Sequence, residues 1–245
     1  MISHEFASNR LHTTSHRREV LWKPHYQVYR RNLLLPPALA AVWMLMIFPG
    51  RDSPGNVRFM LLLYGEVLLP PLLGWIAAGL LLSDPCRELL LTAPRPVWRV
   101  VLERLVLLAA SAFLSWGILL LVTWFLADRT MAGPVEQIFL GGAATSLAFA
   151  SVGLWAALRS RNTLGGGLVV AALWAAGLIF RQALLGHPLG QIVHPFLTLE
   201  ASESPIWSVN CLILCLTAIM LTVLALRLTR DEEPLLPTEG TEEVV

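Results

Sequence analysis

SDPCRELLLTAPRPVWRVVLER, residues 83–104, is a polar stretch that separates two long apolar runs. It holds seven charged residues and three prolines. The apolar runs beside it cover about 58–83 and 105–127. Each is long enough to cross a bilayer as a helix, which takes about 20 apolar residues. The stretch therefore joins two predicted transmembrane helices, and it is longer and more charged than a simple connection requires.

The composition of the whole chain agrees with a membrane protein. Of 245 residues, 56% are apolar and 14% are charged, and the mean hydropathy is +0.63. Soluble domains carry about 25% charged residues. Four further apolar runs lie at about 33–49, 135–158, 163–181 and 206–227. We therefore expect an all-α polytopic integral membrane protein with six transmembrane helices.

The distribution of Lys and Arg predicts the orientation of these helices. With the N-terminus in the cytoplasm, fourteen of these cations fall in cytoplasmic segments and four in outer segments. Segments that stay in the cytoplasm carry the excess of positive charge. The protein is therefore expected in the cell (plasma or inner) membrane with both termini on the cytoplasmic side. The stretch 83–104 is expected on the same side.

Two polar segments flank the predicted six-helix domain, residues 33–229. Residues 1–32 combine Arg and Lys with Trp22, Tyr26 and Tyr29. Amphipathic rings and cations suit the headgroup zone, so the segment is interpreted as interfacial; the alternative is a positive flank that only sets topology. Residues 230–245 form an acidic tail with little apolar content, which is typical of a solvated end.

Small residues in the fourth and fifth spans predict close helix contacts. Gly142, Ser146 and Ala150 lie four residues apart and share one helix face, and glycines occupy 165–167. Small side chains let helix backbones approach in lipid. A phosphate-binding loop is not expected, since no strand precedes these glycines and no lysine follows them.

Motifs for catalysis are missing from the sequence. The patterns GxxxxGK[ST], HExxH and GxSxG do not occur. We therefore expect that the chain is not itself an enzyme and holds no cofactor.

Glu66 is the one acid that lies clearly inside a predicted span. A carboxylate in the bilayer is costly and is a functional hypothesis by default. Pro70 and Pro71 follow it and should kink or break the helix, so the three residues are candidates for a substrate pathway. The alternative is that Glu66 reaches water at the outer end or pairs with Arg58. The sequence favours neither.

Three motifs resemble the permease subunits of type 2 ABC exporters. The first is an acid at the end of the second span, then Glu-Leu-Leu, a proline, and an arginine at the foot of the third span. The second is LRSRNTLGGG at 158–167. The third is HPFLTLEASESPIWSVN at 194–210, an outer loop that enters the sixth span and that we interpret as a surface cap containing a short helix or a re-entrant piece.

The resemblance implies a half-transporter. Such a permease pairs with a second permease, identical or a paralogue, and with cytoplasmic ABC ATPase subunits that bind ATP and Mg. The segment between the second and third spans is then a coupling helix that docks on the ATPase. The residues that match it here are Asp84, Arg87, Glu88, Leu89, Leu90, Pro94 and Arg104.

Helix-forming chemistry in the stretch agrees with that role. Asp84 and Pro85 suit the first positions of a helix, RELLLTA at 87–93 contains strong helix formers, and prolines follow it. An amphipathic helix that fits a partner groove is a known recognition mode. The alternative is a short helix that lies on the membrane surface.

The expected function is therefore a permease subunit of an ATP-driven exporter. The nearly uncharged spans suit an amphipathic or lipid-like substrate, a peptide or a drug. The main alternative is a membrane scaffold or assembly factor that recruits a soluble partner through its cytoplasmic loop. A membrane-embedded lipid enzyme is a weaker alternative, because the acid and histidine clusters it needs are missing. Membrane lipids are expected partners and nucleic acid is not.

Overall fold

The computed structural model describes residues 31–50, 53–84, 96–126 and 134–230. Within these ranges every regular element is a helix, and no strand occurs. The predictions for the N-terminal segment, the acidic tail and the middle of the coupling stretch fall outside the described residues. This applies to the sites Arg87, Glu88, Leu89, Leu90 and Pro94.

Nine helices make up the described part of the chain. They are α1 (Arg31–Gly50), α2 (Pro54–Ala78), α3 (Val97–Leu126), α4 (Val135–Ser160), α5 (Thr163–Ile179), α6 (Arg181–Leu185), α7 (Pro188–Val193), α8 (Leu197–Ala201) and α9 (Trp207–Leu228). Five of them, α1 to α4 and α9, are long and apolar enough to cross a membrane. The helix α5 is apolar but has 17 residues, fewer than a bilayer crossing usually takes. The all-helical architecture of the described residues, with five helices apolar and long enough to cross a membrane, is thus confirmed, while the sixth crossing and the orientation of the termini stay predictions.

The centre of the bundle is α4, which packs most extensively against α2, α9 and α5. Glycines bring α2 and α4 together. A Cβ atom on Gly142 would lie 3.1 Å from the carbonyl oxygen of Gly65, and one on Gly153 would collide with the carbonyl of Gly74. The prediction that small residues of the fourth span mediate helix contacts is confirmed at Gly142.

The glycines at the start of α5 also serve helix packing. A Cβ on Gly166 would lie 2.6 Å from the Ala157 side chain, and Gly167 is as close to the ring of Trp75. A tight turn leads into α5: Arg161 ends α4 with φ of 55°, and the Asn162 side chain accepts a hydrogen bond from Leu164 N at 2.9 Å. This N-cap satisfies one of the first free amides of the helix.

The double proline does not break α2, so the prediction of a break is wrong, while the predicted kink stays a prediction. Instead, residues Leu63–Leu68 form a π-helical turn just before it, in which Leu69 N donates to Tyr64 O. Pro71 has no amide hydrogen for the carbonyl of Val67, four residues earlier. The indole Nε1 of Trp174 on α5 donates to that carbonyl at 2.8 Å. A neighbouring helix thus supplies the donor that proline removes.

Residues 180–206, which we name the cap, connect α5 to α9 through the three short helices α6, α7 and α8. Of the two expectations for this loop, a short helix or a re-entrant piece, the structure has short helices, while the position of the loop on the outer side stays a prediction. Asn210 Nδ2 on α9 lies 2.9–3.0 Å from the carbonyls of Gln191, Ile192 and His194. Arg181 and Glu200 form an ion pair at 3.0 Å within the cap.

Candidate functional site

Asp84 and Arg104, two of the predicted coupling residues, meet at one end of the bundle. Arg104 Nη2 pairs with Asp84 Oδ2, and Arg104 Nη1 donates to the carbonyl of Leu80 at 2.6 Å. Their side chains are 11% and 7% exposed. We call this end of the bundle, which also holds Asn162, the base end, and the arrangement of Asp84, Arg104 and Leu80 the base clamp.

The base clamp ties the end of α2 to the first turns of α3. The guanidinium holds a carboxylate and a helix-terminal carbonyl at once, and such charge-assisted bonds are stronger than neutral ones. A second polar contact links the same end to α5, where Ser83 Oγ and Thr163 Oγ1 lie 3.2 Å apart. The segment 85–95 therefore begins and ends on helices that are fixed to each other.

Glu66 lies in the π-helical turn of α2 and is 1% exposed. Its Oε2 accepts a hydrogen bond from Leu199 N of α8 at 2.8 Å, and its carboxyl group is also bonded to the Thr198 side chain. Thr198 Oγ1 in turn accepts from Trp207 Nε1 at 3.0 Å. One buried carboxyl group thus connects the interior of α2 to the cap and to the start of α9.

This geometry tests whether Glu66 reaches water or pairs with Arg58, as one interpretation of the sequence proposed. The side chain does not reach water, and Arg58 donates to Ser202 Oγ of the cap at 2.7 Å. The interpretation of a carboxylate that snorkels to the surface or pairs with Arg58 is therefore wrong. Whether Glu66, Pro70 and Pro71 belong to a substrate pathway stays a prediction.

The space around Glu66 is kept open by a glycine. A Cβ atom on Gly141 would lie 2.7 Å from Glu66 Oε1 and would overlap the hydroxyl of Thr198. A neighbouring hydroxyl, Thr145 Oγ1, donates to the carbonyl of Pro195 at 2.8 Å. Two residues of α4 that lie one turn apart thus contact the cap. We use the name cap latch for the group Glu66, Gly141, Thr145, Thr198 and Leu199.

His194 is a buried titratable group in the cap, close to the latch in sequence. Neither ring nitrogen finds a hydrogen-bond partner among the described residues, and the ring packs edge-on against Phe196. Burial, with a smaller contribution from the positive charge of Arg181, lowers the pKa of His194 to about 4. The imidazole is therefore neutral at physiological pH.

A cavity of about 420 Å³ opens between α3, α4 and α9. Glu66, Pro70 and Pro71 are not among the residues that line it, and α2 contributes Leu73. Its walls are apolar apart from Ser146, Ser151, Cys215 and Thr222. The described residues contain no group of three or more His, Cys, Asp or Glu side chains that could hold a metal ion.

Comparison with protein-family models, with curated proteins and with solved structures finds no match to this chain.

Sequence reasoning missed Thr198, Trp174 and Ser146. Thr198 and Trp174 act on residues more than a hundred positions away, Glu66 and Val67, and no local pattern announces such a pairing. A partial signal did exist for Trp174. A double proline inside a span leaves carbonyls that need a donor, and an indole on a neighbouring span is one of few side chains that can supply it.

Proposed function

We propose that this chain is the membrane-spanning permease subunit of an ATP-driven ABC exporter. Separate ATPase subunits bind ATP and Mg and drive it, and it moves an amphipathic or lipid-like substrate, a peptide or a drug. The chain works with a second permease in the cell membrane. The observation that carries the proposal is the base clamp: the acid and the arginine that match the coupling segment of such permeases are joined to each other.

The mechanical reason is that a coupling segment must transmit displacement. If its two ends could move independently, a push from a soluble motor would be absorbed by the connection and would not reach the helices. The base clamp fixes Arg104 to Asp84 and to the carbonyl of Leu80, just after the end of α2. A displacement of residues 85–95 would therefore move α2 and α3 together, and α2 carries Glu66 and the cap latch.

The packing of α4 extends this path. Close contacts at Gly65–Gly142 and Gly74–Gly153 leave α2 and α4 little freedom to slide, because interiors this tightly packed transmit strain. The cap is bonded to both helices. Motion that begins at the base end would thus reach the cap, where an exported molecule would leave.

The experiment reconstitutes the chain in nanodiscs with its candidate ATPase, a soluble protein that carries GxxxxGK[ST]. ATP hydrolysis is measured with and without substrate candidates for three variants: the paired replacement of Glu88 and Leu89 by alanine, Arg104→Gln, and the control Arg159→Gln. Arg159 is an exposed cation at the base end, outside the clamp. We expect the first two variants to assemble with the ATPase. In these two variants the rise in the hydrolysis rate on addition of substrate should be at least about tenfold smaller, while Arg159→Gln should keep the full rise.

Stimulated hydrolysis that is unchanged in both the Arg104→Gln and the Glu88/Leu89 variants would contradict the coupling role. A chain that binds a soluble partner through residues 85–95 but does not change the rate of any ATPase would favour the scaffold function instead.

A further inference from the structure

The cavity between α3, α4 and α9 has the size and the wall chemistry of a ligand site. Its volume of about 420 Å³ lies in the range of small-molecule pockets, which is about 300–1,000 Å³. Its described lining contains no charged side chain. Ile219 and Val223, on the α9 side, are 62% and 44% exposed, so the cavity opens sideways into the region that lipid occupies around these helices.

The cavity follows the helices from their middle to the base end. On α3 its lining runs from Phe113 to Leu102, and on α9 from Cys215 to Leu226. Eleven residues of helix correspond to about 16 Å, which is close to half of the roughly 30 Å hydrocarbon core. The cavity therefore matches one leaflet in length and suits an extended alkyl chain that enters with its head at the base end.

The base end offers positive charge to such a head. Exposed arginines lie there on α3, α4, the turn after α4, and the end of α9, against the single exposed acid Glu103 in the described part of this end. Arg99 and Arg227 are the ones nearest in sequence to the cavity lining, close to Leu102 and Leu226, and would hold the head. An anionic head at the interface would be attracted by these cations.

Ser146 marks the inner end of the cavity. Its side chain is 0% exposed, and its hydroxyl has no hydrogen-bond partner within the described ranges. Other buried helical hydroxyls in the bundle donate to the carbonyl four residues earlier, as Thr145 does to Gly141 and Ser151 to Leu147. Ser151 is also 3.0 Å from Thr222 Oγ1. The lining has four polar side chains, Ser146, Ser151, Cys215 and Thr222. Of these, Ser146 is the one with a fully buried hydroxyl that lacks a hydrogen-bond partner among the described residues.

A buried hydroxyl that lacks a partner costs free energy that a ligand oxygen could recover. A plain hydrocarbon chain would fill the cavity but would leave this group unpaired. A chain that carries its own hydroxyl group at mid-membrane depth would satisfy both the apolar walls and Ser146.

We propose that the cavity between α3, α4 and α9 binds a hydroxylated long-chain amphiphile, with its anionic head at the arginines of the base end and its chain hydroxyl hydrogen-bonded to Ser146. This concerns binding by the chain alone and does not depend on the transport function proposed above.

The test is a competition measured by native mass spectrometry on the purified, detergent-solubilised chain without any ATPase. The probes are 12-hydroxyoctadecanoic acid and octadecanoic acid at equal concentration. One added hydrogen bond predicts about fivefold higher occupancy by the hydroxy acid. Ser146→Ala should bind the hydroxy acid more weakly than octadecanoic acid, because the chain hydroxyl would then be buried without a partner. Octadecanoic acid should bind this variant as it binds the unmodified chain.

A pair of α9 variants tests the location. Ile219→Trp places a large ring at the opening of the cavity and should remove binding of both acids. Leu212→Trp changes a residue of similar exposure, 58%, on the same helix face two turns away and outside the lining, and should leave binding unchanged. Both residues are exposed, so neither substitution requires the core to be repacked.

Three results would overturn the proposal. They are equal occupancy of the two acids in the unmodified chain, a preference that survives in Ser146→Ala, and binding that persists in Ile219→Trp.

Discussion

Glu66 is a buried acid inside the bundle whose hydrogen bonds join α2 to the cap. A carboxyl group in hydrocarbon is tolerated only where hydrogen bonds replace water, and here the donors come from Thr198 and Leu199 of the cap. The cap in turn depends on Glu66, because the carboxyl group accepts hydrogen bonds from both of these cap residues. The same residue thus satisfies its own desolvation and fastens the cap.

Replacement of Glu66 tests this mutual dependence. Glu66→Ala leaves two buried donors without their acceptor, which costs about 1–3 kcal/mol for each such group. Glu66→Gln keeps one acceptor oxygen for Leu199 N and should cost less than half as much. Thermal unfolding of the detergent-solubilised chain measures both, with Glu136→Gln, an exposed acid at the start of α4, as the control. Equal unfolding temperatures for Glu66→Ala and the unmodified chain would show that the latch contributes nothing to stability.

The pKa of His194 predicts that stability depends on pH. Burial and the charge of Arg181 lower this pKa to about 4, whereas an unfolded histidine titrates near 6.5. Between these values the unfolded chain binds more protons, so stability is complete above about pH 6.5 and falls as the pH drops toward 4. The full loss is on the order of 3 kcal/mol.

The measurement compares unfolding temperatures at pH 7.5 and pH 5 for the unmodified chain and for His194→Phe, which keeps an aromatic ring against Phe196. The variant should lose most of the difference between the two pH values. An identical drop in both chains would assign the pH dependence to other groups.

The π-helical turn of α2 is the clearest case of an element shaped by more than its own sequence. Pro70 and Pro71 predict that the hydrogen-bond ladder fails there, and this prediction is correct as a statement about the missing donors. They do not predict the outcome, because the helix continues through one wide turn while Trp174 donates to Val67 O. π-helical turns frequently occur at functional sites, and this one contains Glu66.

A double-mutant cycle measures the compensation. Trp174→Phe should lower the free energy of unfolding by about 1 kcal/mol, since Val67 O loses its donor. Pro71→Ala restores an amide that can bond Val67 O, so Trp174→Phe should cost clearly less in that background. Thermal or denaturant unfolding of the four chains gives the coupling energy. Strict additivity would show that the two residues do not serve the same carbonyl.

The contact of α2 with α4 is an element-scale property that depends on glycine. Gly153→Ala would push a Cβ atom into the backbone carbonyl of Gly74, which cannot move without displacing the helix. Overpacking of this kind costs about 1–3 kcal/mol. The matched control is Gly117→Ala on α3, where a Cβ atom meets nothing within 4 Å.

The two substitutions should change the free energy of unfolding in opposite directions. Gly117→Ala should stabilise the chain slightly, by about 0.5–1 kcal/mol, because alanine has the higher helix propensity. Denaturant unfolding of both variants is the measurement. A neutral or stabilising Gly153→Ala would mean that α2 and α4 can separate at little cost.

The sequence predicts the elements better than it predicts their partners. The apolar runs are long enough that hydropathy alone locates α1 to α4 and α9, and small residues indicate where helices approach. The fifth span, predicted over about 163–181, is a helix over Thr163–Ile179. The next helix, α6, begins at Arg181. The cap latch, the base clamp and the cavity depend on contacts between distant residues, such as Glu66 with Leu199, which no local pattern specifies.

At the scale of the whole molecule, the ion pairs of the described residues lie at the two ends of an apolar bundle. The base end has the clamp and the exposed arginines, and the other end has the cap with its ion pair and its bonds to Asn210. Within the described ranges, the latch connects the cap to the π-helical turn in the interior of α2. This distribution suits a body in lipid that is acted on at one end and opens at the other, which is how the proposed exporter would work.

The orientation of the molecule in the membrane is the prediction on which that proposal depends. Within the described ranges more arginines lie at the base end than near the cap, where Arg58 and Arg181 are found, so the base end should face the cytoplasm and the cap the outside. After replacement of Cys86, Cys211 and Cys215, single cysteines are introduced by Arg159→Cys at the base end and Gln182→Cys in the cap, both at exposed positions. A membrane-impermeant maleimide applied to intact cells should label Gln182→Cys and should label Arg159→Cys only after permeabilisation. The reverse pattern would place residues 84–104 where no nucleotide-driven motor can reach them, and it would exclude the exporter while leaving the ligand site between α3, α4 and α9 untouched, because that site is defined without reference to either side of the membrane.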